Sequence, residues 1–163
     1  MRTKAVPPAP DDLGFLEEAQ AAVPLVPEPE ESCCVRLASR LAGVNKDDAR
    51  TWLAFLEALS LVEEGELGYV RTRTRPTADS LREPFRTRVF GVEEVLTHLG
   101  ETGHADVDAV FNAVEDHVPQ WERHRNPGSW QTIWRDRVAD LLEWARLFGL
   151  VTTADGSYTV ATD

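Results

Sequence analysis

The chain contains 163 residues, of which 42% are hydrophobic and 28% are charged, a composition typical of a folded protein with one or two small domains. No apolar run approaches the roughly 18 residues that a membrane-spanning helix needs, and the first ten residues lack the apolar core of a secretion signal. Cys33 and Cys34 are the only cysteines, too few for a disulfide framework or a cysteine metal site. These features exclude membrane and secreted proteins and predict a cytoplasmic location.

The charge balance is strongly acidic, with 28 Asp and Glu against 17 Lys and Arg and a formal net charge of −11. Taken alone, this balance argues against nucleic-acid binding by the whole surface. Of the 17 basic residues, however, 15 are Arg, and a composition rich in Asp and Glu but poor in Lys resembles that of proteins from halophilic archaea. If the acidity is an adaptation of the surface to salt, it does not exclude a local contact with DNA.

The arginines are concentrated in two short windows. Residues 71–88 hold six arginines and two acidic residues, and residues 122–137 hold four arginines and two acidic residues. Such windows indicate either surfaces that contact phosphate or an acidic protein, or ordinary solvated surfaces without a partner.

The first half of the chain predicts three helices. They are expected over about 11–22, 35–42 and 46–60, and Asn45 is the expected N-cap of the third. Within the third segment the apolar side chains recur at helical spacing, namely at Trp52, Phe55, Leu56 and Leu59.

The second half repeats this order with a longer connection. Helices are expected over about 91–100, over 107–114 and over 129–148, with Ser129 as the N-cap of the last. The connection at 119–129 contains Asn-Pro-Gly and is longer than the corresponding turn in the first half.

Each half ends with a predicted two-stranded β-hairpin. The first hairpin consists of residues 61–62 and 69–72 around a turn at 64–68, and the second of residues 150–151 and 158–160 around a turn at 154–157. The second turn contains Asp155-Gly156, a pair that favours hairpin turns.

Residues 52–71 and 141–160 are similar to each other at a constant offset of 89. Seven apolar or aromatic positions fall in register without a gap. They are the pairs Trp52/Leu141, Leu53/Leu142, Phe55/Trp144, Leu59/Phe148, Leu61/Leu150, Val62/Val151 and Tyr69/Tyr158. The chain is therefore predicted to contain two copies of one structural unit.

The order of helix, helix, turn, helix and hairpin resembles the winged helix-turn-helix domain. The best-marked part of the resemblance is the end of each long helix with its hairpin, Leu59-Ser60-Leu61-Val62 with Tyr69, and Phe148-Gly149-Leu150-Val151 with Tyr158. The resemblance implies a mainly α fold with small β-hairpins (α+β), in which winged-helix domains at 11–75 and 90–162 stand in tandem around a linker at 76–89. Together with the composition, the pattern resembles winged-helix proteins of halophilic archaea.

In winged-helix proteins that bind DNA, the third helix enters the major groove and the hairpin, or wing, contacts the backbone. For the first copy the resemblance implies that Lys46, Arg50 and Thr51 on the helix 46–60 would lie near the bases. Two carboxylates at the start of this helix would face phosphate and oppose that role.

Arg71, Arg73 and Arg75 lie along the second strand of the first wing and the segment after it. These three residues alternate along a strand, and alternate residues of a strand share one face, so their side chains are expected on the same side. Such a row suits either phosphate or an acidic protein.

The second copy offers the better candidate patch for nucleic-acid binding, composed of Arg123, Arg125, Gln131, Arg135 and Arg137. Trp121 and Trp130 flank the Pro-Gly loop beside this patch and are the candidate protein-interface residues. Arg, Gln and Trp together suit either DNA or a protein hot spot. The longer connection before the third helix departs from the family pattern and weighs against ordinary groove docking by this copy.

Metal and catalytic chemistry have little support in the sequence. None of the four histidines is paired with another at helical i, i+4 spacing, and the one conceivable metal cluster consists of His104, Asp106, Asp108 and His117. Cys33 and Cys34 begin a helix, where they are either activated thiols or two small buried residues. No phosphate-binding glycine loop or nucleophile motif occurs. We therefore expect no catalysis, no cofactor and no metal.

Two functions follow from these observations. The first is a tandem winged-helix DNA-binding protein, a transcriptional regulator whose partner is double-stranded DNA. The alternative is a protein-interaction adaptor without catalysis, similar to the tandem winged-helix subunits of chromosome-condensation and membrane-sorting complexes. The arginine windows favour the first, and the acidic start of the helix 46–60 with the clustered Trp favours the second. A homodimer is compatible with both, because the first helix offers an apolar set at Leu13, Phe15, Leu16 and Ala19.

Overall fold

The computed structural model of the chain describes Thr3 and residues 5–161, which divide into two compact units, Met1–Val89 and Phe90–Asp163. The described elements are mostly helical, with one small antiparallel hairpin in each unit. The fold is therefore mainly α with small β-hairpins, as the sequence predicts. Residue 162, the predicted end of the second domain, lies outside the described residues.

The described residues of the first unit form three helices, a hairpin and a fourth helix. In chain order these are α1 (Gly14–Ala22), α2 (Glu30–Arg40), α3 (Lys46–Ala58), β1 (Val62–Gly65), β2 (Gly68–Arg71) and α4 (Ala78–Arg88). Leu16, Leu37, Phe55 and Leu56 are fully buried, so the core of the unit lies among the first three helices.

The turn between α2 and α3 confirms the predicted helix start. The side chain of Asn45 accepts a hydrogen bond from the backbone N–H of Asp48 (2.8 Å), and the Asp48 carboxylate accepts one from the backbone N–H of Asn45 (3.3 Å). This reciprocal capping box satisfies two donors that the helix cannot satisfy itself. Gly43 in the turn has φ +76°, a left-handed conformation that favours glycine.

Most of the segment 76–89, expected as a linker, forms helix α4 in the first unit. Thr77 and Ser80 form a capping box at its start, and Leu81 and Phe85 are fully buried. The Phe85 ring meets Phe55 of α3 edge to face at 6.4 Å. Pro76 and Pro84 are the residues that indicate a linker in the sequence. However, Leu81 and Phe85 lie four residues apart and bury one helix face, and this burial outweighs the backbone hydrogen bond lost at Pro84.

Up to residue 161, where the described part of the chain ends, the second unit contains four α-helices, a short 3₁₀ helix and a hairpin. In chain order these are α5 (Val92–Thr102), α6 (Val107–Val114), the 3₁₀ helix (Glu115–His117), α7 (Gln120–Arg125), α8 (Trp130–Leu147), β3 (Val151–Ala154) and β4 (Ser157–Val160). The long connection before α8 thus contains a helical turn and a short helix. The Ser129 side chain makes no capping bond, so the predicted N-cap interaction is wrong; its backbone φ of −136° and ψ of −3° are not the extended values of a capping residue.

The two units repeat each other at the offset that the sequence predicts. Strands β1 and β2 correspond residue by residue to β3 and β4, each 89 positions later. Ser60 and its counterpart Gly149 both end the long helix in a left-handed conformation, with φ of +65° and +76°. The next residue then donates its N–H five residues back, from Leu61 to Leu56 and from Leu150 to Ala145.

The apolar set on α1 is used inside the first unit. Leu16 and Ala19 are fully buried, and the Phe15 ring lies 5.2 Å from that of Trp52. This corrects the expectation that the set is open to a second copy, because α1 has to cover α3.

Cys33 and Cys34 are free thiols buried in α2, and burial raises the pKa of both thiols. Of the two alternatives for this pair, the structure supports small buried residues over activated thiols. Among the described residues, no helix is both long enough and apolar enough to cross a membrane.

Candidate nucleic-acid interface

Helix α3 presents a mixed surface. Lys46 and Arg50 are exposed and Thr51 is half-buried, as expected for residues that could reach a ligand. The Lys46 ammonium, however, lies 3.0 Å from the Glu31 carboxylate, an exposed pair worth little in free energy. Arg50 makes no hydrogen bond or ion pair with another described residue, so it is the most available cation on this helix.

The tip of the first wing is acidic. Glu63, Glu64 and Glu66 are all exposed around the turn, and Leu67 is 80% exposed. Three carboxylates at this position would repel a phosphate backbone. The wing tip is therefore poorly suited to the phosphate contact that wings usually make.

Arg71, Arg73 and Arg75 do not share one face of a strand. Strand β2 ends at Arg71, and Arg73 lies in a bend. Arg71 is half-buried, and its buried Nε has no hydrogen-bond partner among the described residues. Arg73 and Arg75 are exposed. The Thr72 N–H still donates to the Leu61 carbonyl at 3.1 Å, and the backbone leaves the hairpin after this residue. The prediction of a single row is wrong for this reason.

The buried side-chain amide of Gln20 holds the backbone on its path away from the hairpin. The Gln20 side chain on α1 donates to the backbone carbonyls of Leu61, Thr72 and Thr74, the last at 2.8 Å. The Thr72 hydroxyl also donates to the Ser60 carbonyl at 2.8 Å. These bonds hold the backbone around Arg73 in one path. Gln20 was not identified from the sequence, although a polar residue among the apolar positions of α1 was a signal of it.

Charge is divided unequally between the units. The first has 12 Lys and Arg against 15 Asp and Glu, a net charge of −3, and the second has 5 against 13, a net charge of −8. Within the first unit, residues 71–88 carry six arginines and two acidic residues and are locally positive. The strongest concentration of positive charge therefore belongs to the first unit.

Two arginines of the second candidate patch stack on tryptophans. The Arg123 guanidinium lies 4.4 Å from the centre of the Trp130 ring and donates to the Glu115 carbonyl at 2.6 Å. The Arg137 guanidinium lies 4.7 Å from the centre of the Trp134 ring. Burial lowers the pKa of Arg137. Both side chains are half-buried and serve the packing of the unit.

The remaining polar members of this patch differ in availability. Arg135 forms an ion pair with Asp108 of α6, and this hydrogen bond lowers the pKa of the Asp108 carboxyl. Arg125 and Gln131 are exposed and make no bond to another described residue. Since three of its four arginines are engaged within the unit, this patch is weaker than the sequence suggests.

The candidate protein-interface tryptophans are not equivalent. Trp121 on α7 is 51% exposed, whereas Trp130 is half-buried under Arg123. Trp121 and Arg125 are four residues apart on the same short helix, a spacing that places them on one face.

The conceivable metal cluster is not assembled. Asp106 caps α6 by accepting from the Ala109 N–H (2.9 Å), and Asp108 pairs with Arg135. His98 and His117 line a different, open cleft together with glutamates of α5. In the part of the chain that the structure describes, no group of three His, Cys, Asp or Glu residues is arranged to hold a metal ion.

Comparison with known proteins identifies the architecture. A family model described as the halobacterial double winged helix domain matches residues 1–163, the whole chain. No curated protein and no solved structure shows significant similarity to the chain.

Proposed function

The chain belongs to the halobacterial double winged helix domain family, and we propose on this basis that it binds double-stranded DNA through its first unit as a transcriptional regulator. The proposal requires a local surface that attracts phosphate on an acidic protein. It requires no catalytic group, cofactor or metal, and it fits a cytoplasmic protein.

The proposed phosphate contacts depend mainly on Arg73 and Arg75. Both are exposed, neither pairs with a carboxylate of the described residues, and the backbone between them is held by the Gln20 amide. A cation on a fixed backbone loses less conformational freedom when it contacts phosphate than one on a free loop. Contacts of this kind fix the position of a duplex on the protein without reading its sequence.

Base contacts would come from α3. Arg50 and Thr51 lie on consecutive positions of this helix, and Arg suits guanine while the Thr hydroxyl and methyl suit several base edges. A duplex on the first unit would thus be held by the residues after β2 and read by the middle of α3.

The second unit has a smaller part in this proposal. Its net charge is −8, and Arg123, Arg135 and Arg137 are engaged internally. The short helix α7 precedes α8 where a winged helix usually has a tight turn. Arg125 and Gln131 remain available for an auxiliary contact.

The test is the binding of the purified chain to a random-sequence duplex, measured by fluorescence anisotropy over a series of potassium chloride concentrations at which the chain stays folded. A counterion-releasing contact gives a logarithmic slope of about −0.9 for each phosphate contacted. We expect a slope that corresponds to two or more contacts. Absence of binding to random duplex and to a genomic-fragment library at every salt concentration would contradict the proposal.

The exposed Trp121 favours a second candidate function, that of a protein-interaction adaptor. Trp and Arg dominate the energetics of protein interfaces, and Trp121 with Arg125 presents this pair on one short helix. The Trp121→Ala variant distinguishes the two functions. An adaptor would lose its partner in this variant, whereas DNA binding through the first unit would be unchanged.

A further inference from the structure

A groove in the first unit lies between the N-terminal segment and the helix-turn-helix. It has a volume of about 320 Å³ and is lined by the chain before α1, the turn between α2 and α3, and one side of α3. Its apolar walls include Val6, Pro7, Phe15, Val44 and Trp52. This size lies at the lower end of the range for small-molecule sites.

The charge of the groove comes from one carboxylate among the described residues. Of the described residues that line it, Asp48 is the one charged residue, and the Thr51 hydroxyl and the Trp52 indole N–H are the other polar side-chain groups. The Asp48 Oδ2 accepts from the Asn45 N–H, while its Oδ1 makes no hydrogen bond to any described residue. The carboxylate is exposed. The mostly apolar lining of the groove therefore includes one carboxylate whose Oδ1 has no hydrogen-bond partner among the described residues.

The walls of the groove are packed before any ligand binds. Trp52 is 3% exposed and its ring lies against Phe15 at 5.2 Å, so it forms a fixed wall. Val6 and Pro7 are buried against the unit. The capping box of Asn45 and Asp48 fixes the carboxylate in place. A ligand would not have to order these groups, which lowers the free-energy cost of binding.

We propose that this groove binds a small protonated amine. The hydrocarbon part of the amine would lie among Phe15, Val44 and Trp52, and its ammonium group would pair with Asp48. The lining disfavours an anionic ligand, because Asp48 would repel it and none of the described lining residues is basic. High salt weakens the ion pair by screening, but a contact at hydrogen-bond distance is screened least.

The site borders the surface that is proposed to face DNA. Asp48 and Thr51 belong to α3, and Thr51 is a candidate base contact. The binding of an amine can nevertheless be measured without DNA, so this inference does not depend on the proposed function.

The test is a titration of the full chain, labelled with ¹⁵N, followed by amide and indole NMR shifts. The probe is phenethylamine, and the control is 3-phenylpropionate, which has the same ring and spacer but a negative charge. We expect saturable shifts at Val44, Thr51 and the Trp52 indole at roughly millimolar amine. The carboxylate probe should bind at least about tenfold more weakly.

Two variants assign the site. Asp48→Asn keeps an oxygen that accepts from the Asn45 N–H but removes the charge, and should weaken amine binding about threefold to tenfold. Ala42→Leu adds bulk at an exposed wall position and should abolish the shifts. Equal binding of both probes, shifts confined to the acidic surface elsewhere, or unchanged amine affinity in Asp48→Asn would overturn the proposal. Because Asp48→Asn preserves the cap, the test remains decisive even if Ala42→Leu fails to fold.

Discussion

Replacing Arg73 and Arg75 with alanine should remove the two best-placed phosphate contacts. Both guanidinium groups are exposed, and neither forms an ion pair with a described residue, so their loss leaves no carboxylate newly unpaired. Their backbone is held by Gln20 through bonds that alanine at 73 and 75 keeps. The double variant is therefore expected to fold as the parent does and to differ in charge alone.

The expected size of the effect follows from counterion release. Two lost phosphate contacts reduce the logarithmic salt slope by about 1.8. Over a tenfold rise in potassium chloride, the parent should then lose about 60-fold more affinity than the variant. The measurement is fluorescence anisotropy with a labelled duplex, and circular dichroism verifies folding at each salt concentration.

The matched control changes the same amount of charge in the other unit. Arg135→Ala with Arg137→Ala also removes two positive charges, but Arg135 pairs with Asp108 and Arg137 stacks on Trp134. We expect its slope to stay within about 0.5 of the parent value. If both double variants reduce the slope equally, binding responds to overall charge, and the assignment to the first unit is refuted.

Three further predictions concern stability, each measured by chemical denaturation in potassium chloride. Asn45→Ala removes a capping box and should cost about 1 kcal/mol, whereas Ser129→Ala, at a position without a capping bond, should change stability by less than about 0.5 kcal/mol. Burial raises the pKa of the Asp140 carboxyl to about 6, and the Asp136 carboxylate one turn earlier contributes to this shift. The ionised form of Asp140 is therefore disfavoured in the folded chain. Asp140→Asn should therefore stabilise the chain by about 1 kcal/mol at pH 7, after allowance for solvent screening, and this gain should disappear below about pH 4, where the aspartate is protonated in both states. Tyr158→Phe removes the hydroxyl that donates to Glu143 at 2.5 Å and should cost about 1 to 2 kcal/mol; a loss below about 0.3 kcal/mol would show that this bond contributes little.

The parts of the fold that could be predicted from sequence are those that depend on local patterns. The end of each long helix and its hairpin follow from apolar spacing and a short turn, all within about twenty positions. Asn45 was identified as a cap for the same reason, since its partner Asp48 is three residues away. Helix α4 was missed because Pro84 within it and Pro76 just before it are local signals for a loop, while the burial of Leu81 and Phe85 depends on distant neighbours.

The candidate interface depends more on distant neighbours and was predicted less well. Asp108 pairs with Arg135 across 27 positions, and Gln20 holds Thr74 across 54. No periodicity in the sequence indicates either contact. The composition of the sequence located both arginine windows. Tertiary packing, however, decides which guanidinium groups are free to contact a ligand. Because packing engages more arginines in the second unit, the stronger case for DNA contact lies with the first unit.

The most direct measurement is an NMR titration of the ¹⁵N-labelled chain with a short unlabelled duplex, at the lowest potassium chloride concentration that keeps the chain folded. DNA bound by the first unit should shift the amides of residues 46–54 and 71–75 and the side-chain signals of Arg73 and Arg75, and should leave residues 120–137 nearly unchanged. Shifts concentrated in residues 120–137, with none at 71–75, would contradict the assignment of DNA binding to the first unit.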